Sequence, residues 1–536
     1  MWQLLFAMVR SSGLQRAAQV TVLFGVGALT ALLHSPAWAQ DAAYNPRTSG
    51  TSTQGWQVRP MLSVSEHYSD NISLAPSGSA RSEWTTRISP GVSVSGNSAR
   101  LHFNATYTPE LLYRVNQATT DVSHALNALG NAELLSRTLF VDVRANVSQQ
   151  NVSLLGPQAE SNVNTTTNRT SVKSYGISPY LRHDFGFDAF GELRFTHDAV
   201  HLGGNSGGVS SSTSERVDAK LTSGPAYKLF TWNLAFSKSH VEYTQTGQKI
   251  DEKNVSASVG RLITPEIRLN VNAGYEDSGY PSTTGQELKG AFWSVGPAWT
   301  PSERTRVAAT FGRRYFGPWR TFQLEHRSRL TSWGLDYSEN VTNTRSSLTV
   351  PVTLDTAAIL NALFLSQFPD PIVRQAMIQQ FIVNNGLPAS LNQPLNFLTD
   401  SLFLDKRLQA TFGIHGIRNT VLTSVFSSNR NALTTGSGVG NDFNSSQNVK
   451  QTGASMSWSL RLTESLASNV SLAVTRNAFT DLNRTDRLTA LRWGLTKDFD
   501  PKVTGSLSLG RVKNDSDAVS TSYTENSVAA TLGMRF

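Results

Sequence analysis

Three arrangements in this chain of 536 residues have the residue types for bond-making chemistry. Gly204-Asn205-Ser206-Gly207-Gly208 matches G-x-S-x-G, the sharp turn that presents a nucleophilic serine between a strand and a helix. Here it sits in a Gly/Ser-rich stretch with no helical pattern after it, so a polar loop is expected. His326 and Ser328 fall on one face of an alternating segment, as a base and a nucleophile would. Such a pair needs hydrogen-bond contact and a third group to orient the base, and the sequence offers no such group. Asp515 and Asp517 bring two carboxylates together, short of the oxygen shell that calcium takes. No His-Glu-x-x-His or phosphate-cradling loop occurs, and the chain has no cysteine for a thiolate site or a disulfide. The expectation is a non-enzyme with no catalytic residues, cofactor or metal.

Charges on alternating segments point to a different use, the passage of polar solutes through a hydrated space. Arg144, Glu192, Arg194, Arg268, Arg306, Arg314, Glu325 and Arg327 each sit on a segment whose other face is apolar. These eight are the candidates to line a pore. The apolar faces carry Trp232, Leu234 and Phe236; Ile267, Leu269, Val271, Ala273 and Tyr275; Trp293, Val295 and Trp299; and Leu491, Trp493 and Leu495, with aromatics toward the segment ends as in an interfacial girdle. The solvated face of an open soluble sheet would alternate in the same way.

The elements that must position these residues are strands. In Tyr523 to Phe536, Val528, Ala530, Leu532, Met534 and Phe536 are apolar at every second position. A last strand ending on Phe536 is similar to the C-terminal assembly signal of bacterial outer-membrane barrels. At the other end, Arg10 and Arg16 precede an apolar run from Val20 to Leu33 and Ala37-Trp38-Ala39, the order of a secretory signal peptide over 1–39. A polar leader over 40–55 follows, so no N-terminal plug domain is expected. No later stretch approaches the length of a membrane-spanning helix, so an exported membrane protein of this composition must be a closed barrel. Short turns alternate with long Ser/Thr/Asn/Gly connections from Trp56 onward, which gives about twenty-two strands by the rule for transmembrane barrels, with both ends in the periplasm. The predicted fold is all-β: a transmembrane antiparallel up-and-down barrel in the cell outer membrane, formed by 56–345 and 403–536.

Between these two parts the alternation stops. Over 346–402, Asp355, Leu360, Leu363 and Phe364 have helical spacing, Pro369-Asp370-Pro371 ends one helix and caps the next, and Asn385-Gly386 closes it. Val373, Met377 and Phe381 read as an apolar stripe that must cover something. The segment is predicted to be a helical insert in an extracellular loop, with these three residues as constriction candidates. The formal net charge is +8, and +6 without Arg10 and Arg16. The cations are scattered singly, which argues against nucleic acid and suits a polar or anionic solute.

Three stretches carry a family resemblance: Val64 to Arg114 (VSEHYSDNISLAPSGSARSEWTTRISPGVSVSGNSARLHFNATYTPELLYR), Phe316 to Arg345, which contains HRSRLTSWGLDYSENVTNTR, and the insert LFLSQFPDPIVRQAMIQQFIVNNGLP. Together they resemble the PEP-CTERM system-associated outer-membrane β-barrel family, over nearly the whole mature chain. The resemblance implies a Gram-negative protein from exopolysaccharide loci and the exosortase sorting system. It carries no functional residues with it. The expected role is a porin-like export channel for exopolysaccharide, with a general solute porin or a structural or adhesive scaffold as alternatives. The expected partners are outer-membrane lipid, the barrel assembly machinery, and exopolysaccharide or periplasmic export components.

Overall fold

The computed structural model describes residues 55–349, 355–365 and 397–536, apart from 205–206, 208, 283–284, 286 and 435–441, together with Arg374, Met377, Ile378, Phe381 and Ile382. The expected signal peptide, the leader as far as 54 and much of 366–396 lie outside the described residues.

Period-two alternation becomes strand along almost the whole described chain. Among the described residues there are 22 antiparallel strands, from β1 (Gly55–Ser69) to β22 (Tyr523–Arg535), each paired with its neighbours in sequence. The sheet closes on itself because β1 also pairs with β22, with Met61 opposite Arg535 and Ser69 opposite Ser527. Closure leaves no unpaired strand edge, which is the condition for a sheet to cross hydrocarbon. One end of the barrel carries tight connections such as 99–100, 265–266, 303–304, 464–465 and 501–502, and both β1 and β22 have their free ends there. The other end carries 70–82, 152–168, 278–288, 343–402 and 433–447. Short turns and chain ends mark the periplasmic side of single-chain barrels and long loops the outer side.

Alternation also sorts the faces. Outside, Val64, Ile88, Val255, Val271, Leu472, Leu491 and Leu532 are exposed. Trp56, Trp299 and Trp333 stand near the short-turn end and Trp84, Tyr113 and Tyr275 near the long-loop end. An apolar belt between two aromatic girdles on a closed barrel is the exterior of an outer-membrane protein. Inside, the wall is hydroxyls, amides and charges, including Ser65, Asn131, Asp142, Ser424, Gln451 and Glu525.

The apolar cores lie inside the cylinder, where the long loops fold inward. From the 70–82 loop, Ile72 packs with Leu112 and Val163, and Leu74 packs with Leu488, Ala490, Val512 and Tyr523. Leu154, Phe397 and Phe443, from three different loops, meet Phe403, Val449 and Phe479 on the wall. The connection 343–402 contains helices α1 (Thr344–Thr349) and α2 (Asp355–Phe364), and 433–447 contains the single turn α3 (Asp442–Ser445).

Candidate functional site

Four adjacent strands build a charged wall: β4 (Thr119–Leu135), β5 (Leu139–Asn151), β6 (Arg169–Asp184) and β7 (Ala189–Leu202). Register sets Asn131 opposite Asp142, Phe140 opposite Tyr180, and Tyr180 opposite Arg194. The rings of Phe140 and Tyr180 stack with centroids 5.1 Å apart, and the Arg194 guanidinium lies 3.8 Å from the Tyr180 centroid. Arg194 pairs with Asp142 and, at 3.1 Å, with Glu192, which also takes Arg182 at 3.1 Å. Asn131 donates to the Asp142 carboxylate and to the Tyr180 hydroxyl. Each buried charge here has an opposite charge or a donor beside it, which is the condition for holding ions in a partly desolvated wall.

Higher on the same wall, Asp198 on β7 accepts from Arg144 on β5 at 3.4 Å and from Arg345 on α1. Arg345 also donates to the Asp198 backbone carbonyl at 3.1 Å. Because α1 follows directly from β15 (Thr331–Thr342), this contact carries the chain across the lumen to a wall eight strands away. Neighbouring bonds hold the crossing: Asn343 donates to the Tyr280 hydroxyl at 2.9 Å and Thr344 to the Phe397 carbonyl at 2.9 Å. Burial pushes the Tyr280 phenol well above its ordinary pKa, so it stays neutral.

After α1 the chain descends. Ile359, Leu360, Leu363 and Phe364 of α2 pack with Ile378, Ile382 and Leu422, with Ala357 and Phe381 against them. Leu422 is on the inner face of β17 (Asn419–Ala432), close to the tight turn that joins it to β16 (Phe403–His415). Phe364 and Phe381 both meet the ring of His415, the last residue of β16, edge-on at 5.1 and 5.4 Å. Helix α2 sits so close to β16 that a Cβ at Gly413 would fall 2.5 Å from Ile359 Cγ2. The insert therefore enters from the long-loop end and reaches the inner wall near the short-turn end. Among the constriction candidates, Phe381 packs against this cluster, Met377 is exposed, and Val373 lies outside the described residues. The buried positions are Ile378 and Ile382, so the apolar stripe is turned by one residue from the one read in the sequence.

The mouth above is bridged by loops. The Asp442 carboxylate accepts from the Ser153 hydroxyl and, at 2.7 Å, from the Leu154 amide, which ties α3 to the 152–168 loop. Burial raises the Asp442 pKa to about 6, opposed by those two donors and by Arg484. Glu160 from the same loop pairs with Arg492 on β20 (Arg484–Asp500), and Asn164 donates to Glu525 at 2.8 Å.

Of the other pore candidates, Arg314 pairs with Glu276 beneath the aromatic rings of Phe316 and Trp319. Arg268 donates to Thr231 at 3.0 Å, Arg306 stands opposite Glu325, and Arg327 donates to the Glu303 carbonyl at the short-turn end. All eight lie on the face opposite the exposed apolar residues. The chemistry-like arrangements do not assemble. His326 contacts Thr305 at 2.8 Å on the outward face, while Ser328 bonds Thr331 at 2.7 Å. Asp515 pairs with Lys513 at 2.7 Å and Asp517 accepts the Thr485 amide. Asn205, Ser206 and Gly208 lie outside the described residues. Among the described residues, no group of three His, Asp or Glu side chains is placed to hold a metal. Phe536 donates its amide to the Pro60 carbonyl at 3.0 Å and leaves its ring exposed. The charged network was only half legible in advance: Arg144, Glu192 and Arg194 stood out, but their link to Arg345 joins segments with no common periodicity.

No family model matches the chain, and no curated protein matches it. Solved siderophore receptors are similar to it over most of their length at low identity. The siderophore receptor PirA from Acinetobacter baumannii is 8% identical with TM-score 0.47, over 91% of this chain and 81% of that one. The ferric-catecholate import receptor Fiu from K12 E. coli, in its closed form, is 8% identical with TM-score 0.46, over 89% and 81%. PirA from Pseudomonas aeruginosa is 9% identical with TM-score 0.39, over 90% and 80%.

Proposed function

We propose that the protein is an outer-membrane channel for a polar, polyhydroxylated cargo, kept closed by its own insert in the loop between β15 and β16. The observation that carries this reading is the seating of α2 against Leu422, deep inside a wall otherwise made of hydroxyls, amides and paired charges. A barrel of about this strand number encloses a lumen that leaks unless plugged, and in this reading the insert serves as that plug. The resemblance of Val64 to Arg114, Phe316 to Arg345 and the insert to the PEP-CTERM-associated barrels supports exopolysaccharide as the cargo and periplasmic export components as partners. Polar walls without a single dominant charge suit a hydrated, uncharged or weakly anionic chain.

Replacing 350–396 with a short Gly-Ser linker tests the plug. The expected outcome is a heat-modifiable, folded barrel whose conductance in planar bilayers rises several-fold, in a cell more sensitive to large antibiotics. Unchanged conductance from a folded barrel overturns it. The cargo is tested separately: a deletion strain should lose secreted polysaccharide, and normal secretion would favour a general porin. Phe536 is proposed to act in assembly, so its deletion should lower the amount of folded barrel recovered from outer membranes while the purified, folded fraction conducts normally.

A further inference from the structure

The outer surface holds a site that the channel reading does not use. Near the long-loop end, the exterior of β17 to β20 carries a groove of about 840 Å³, lined by Val425, Ala454, Val474, Arg476, Arg487 and Asp517 among others. Its direction follows from the alternation. Ser424 and Ser428 on β17, Gln451 and Ser455 on β18 (Asn448–Thr463), and Thr475 and Asn477 on β19 (Leu466–Phe479) are buried on the lumen side. Val425, Ala454, Val474, Arg476 and Arg487 alternate with them and face out.

Arg476 and Arg487 stand directly opposite each other across the β19–β20 ladder, and both are exposed. Like charges in that position repel. Neither makes an ion pair among the described residues. The nearby acids are engaged elsewhere: Asp515, opposite Arg487, pairs with Lys513 at 2.7 Å, and Asp517 accepts the Thr485 amide at 2.8 Å. Lys450 adds a further exposed cation near the outer end of β18. Below the two arginines the outward row turns apolar, with Met456, Leu472 and Leu491 exposed. Two unpaired guanidiniums at headgroup height, above an apolar floor, complement a molecule that is anionic at one end and aliphatic at the other.

We propose that this groove binds a phosphorylated lipid of the outer leaflet, its phosphate held between Arg476 and Arg487 and its acyl chains lying over Val425, Ala454 and Val474. Guanidinium forks match phosphate oxygens in geometry as well as charge, and the anion relieves the repulsion between the two arginines.

The test is native mass spectrometry of the full-length protein in detergent, mixed with diphosphorylated lipid A, with dephosphorylated lipid A, or with inorganic phosphate. The wild type should retain diphosphorylated lipid A at about tenfold higher occupancy than the dephosphorylated form. The double variant Arg476→Gln/Arg487→Gln should lose that preference, while Arg59→Gln, an exposed cation near the short-turn end, keeps it. Ala454→Trp fills the groove without touching a charge and should also abolish retention, which keeps the test decisive if the double variant misfolds. Undiminished retention by a folded double variant or by Ala454→Trp overturns the proposal. So does equal retention of the dephosphorylated lipid, or inorganic phosphate that displaces the lipid at similar concentration.

Discussion

Two of the attachments that hold the insert use opposite chemistries. At the charged wall, Arg345 reaches Asp198, which also serves Arg144. At the far wall, Leu360, Leu363 and Phe364 close over Leu422 in an apolar contact. The first attachment is directional and depends on three particular groups. The second is an area of apolar surface, tolerant of small shifts but sensitive to volume. A contact of the first kind can be undone by altering one partner, whereas one of the second kind yields only when its area is reduced. On the channel reading proposed above, the ionic end is the release point and the apolar end is the anchor.

The largest expected effect comes from breaking the ionic end. Asp198→Ala leaves Arg144 and Arg345 facing each other without their shared carboxylate, a loss of roughly 3–5 kcal/mol for a buried pair deprived of one partner. The variant barrel should remain heat-modifiable but show frequent long openings in single-channel records. Openings as rare as in the wild type would mean that α1 is held by Thr344 and Asn343 alone. Truncating the apolar end comes next. Leu360→Ala should cost about 3 kcal/mol, confined to the insert, so hydrogen exchange should quicken in 355–364 while β17 stays protected. Equal quickening in both would show that seat and wall unfold together.

How much of this contrast could be read from the sequence depends on the length of the pattern. Strand number, facing and the inner position of Arg144, Glu192 and Arg194 follow from period-two alternation repeated along 22 segments, and short connections alternate with long ones as expected. The insert was visible as a break in that period. What could not be read were contacts between isolated residues in polar loops. Ile72, Leu74, Leu154 and Val163 each stand among Ser, Asn and Gly, so no periodicity names the strand they cover. The helical stripe shows the same limit on a smaller scale. Met377 and Ile378 are adjacent and both apolar, and only the burial of Ile378 and Ile382 against Leu422 shows which side faces inward.

The smallest effect sharpens the comparison at the mouth, where α3 joins the 152–168 loop through one carboxylate. Asp442 has its folded pKa raised to about 6 from 3.8, so the contact binds a proton more tightly than the open loop does. Its stability is complete below about pH 4 and declines as pH rises through 6. Between pH 5 and 7 the loss is about 1.4 kcal/mol, and proteolysis of the 433–447 loop should accelerate over that interval. Asp442→Asn should flatten the dependence. A wild-type rate independent of pH would mean that the carboxylate is already charged in the closed mouth.

The pairing of β1 with β22 has a consequence in time. Ser69 and Glu525, joined side chain to side chain at 2.6 Å, are 456 positions apart, so their ladder is the most non-local in the molecule and the slowest to nucleate. Every other ladder joins consecutive strands and can form as a growing hairpin array. The insert is tethered to β15 and β16, seven strands from that seam. While the sheet is still an open trough, it can settle onto β16 and β17 as those strands pair. Once the seam zips, the same residues would have to pass as a loop through a mouth already crowded with folded connections. The connectivity thus favours an order of events in which insert and wall assemble together and the last hydrogen bonds to form close the seam behind them.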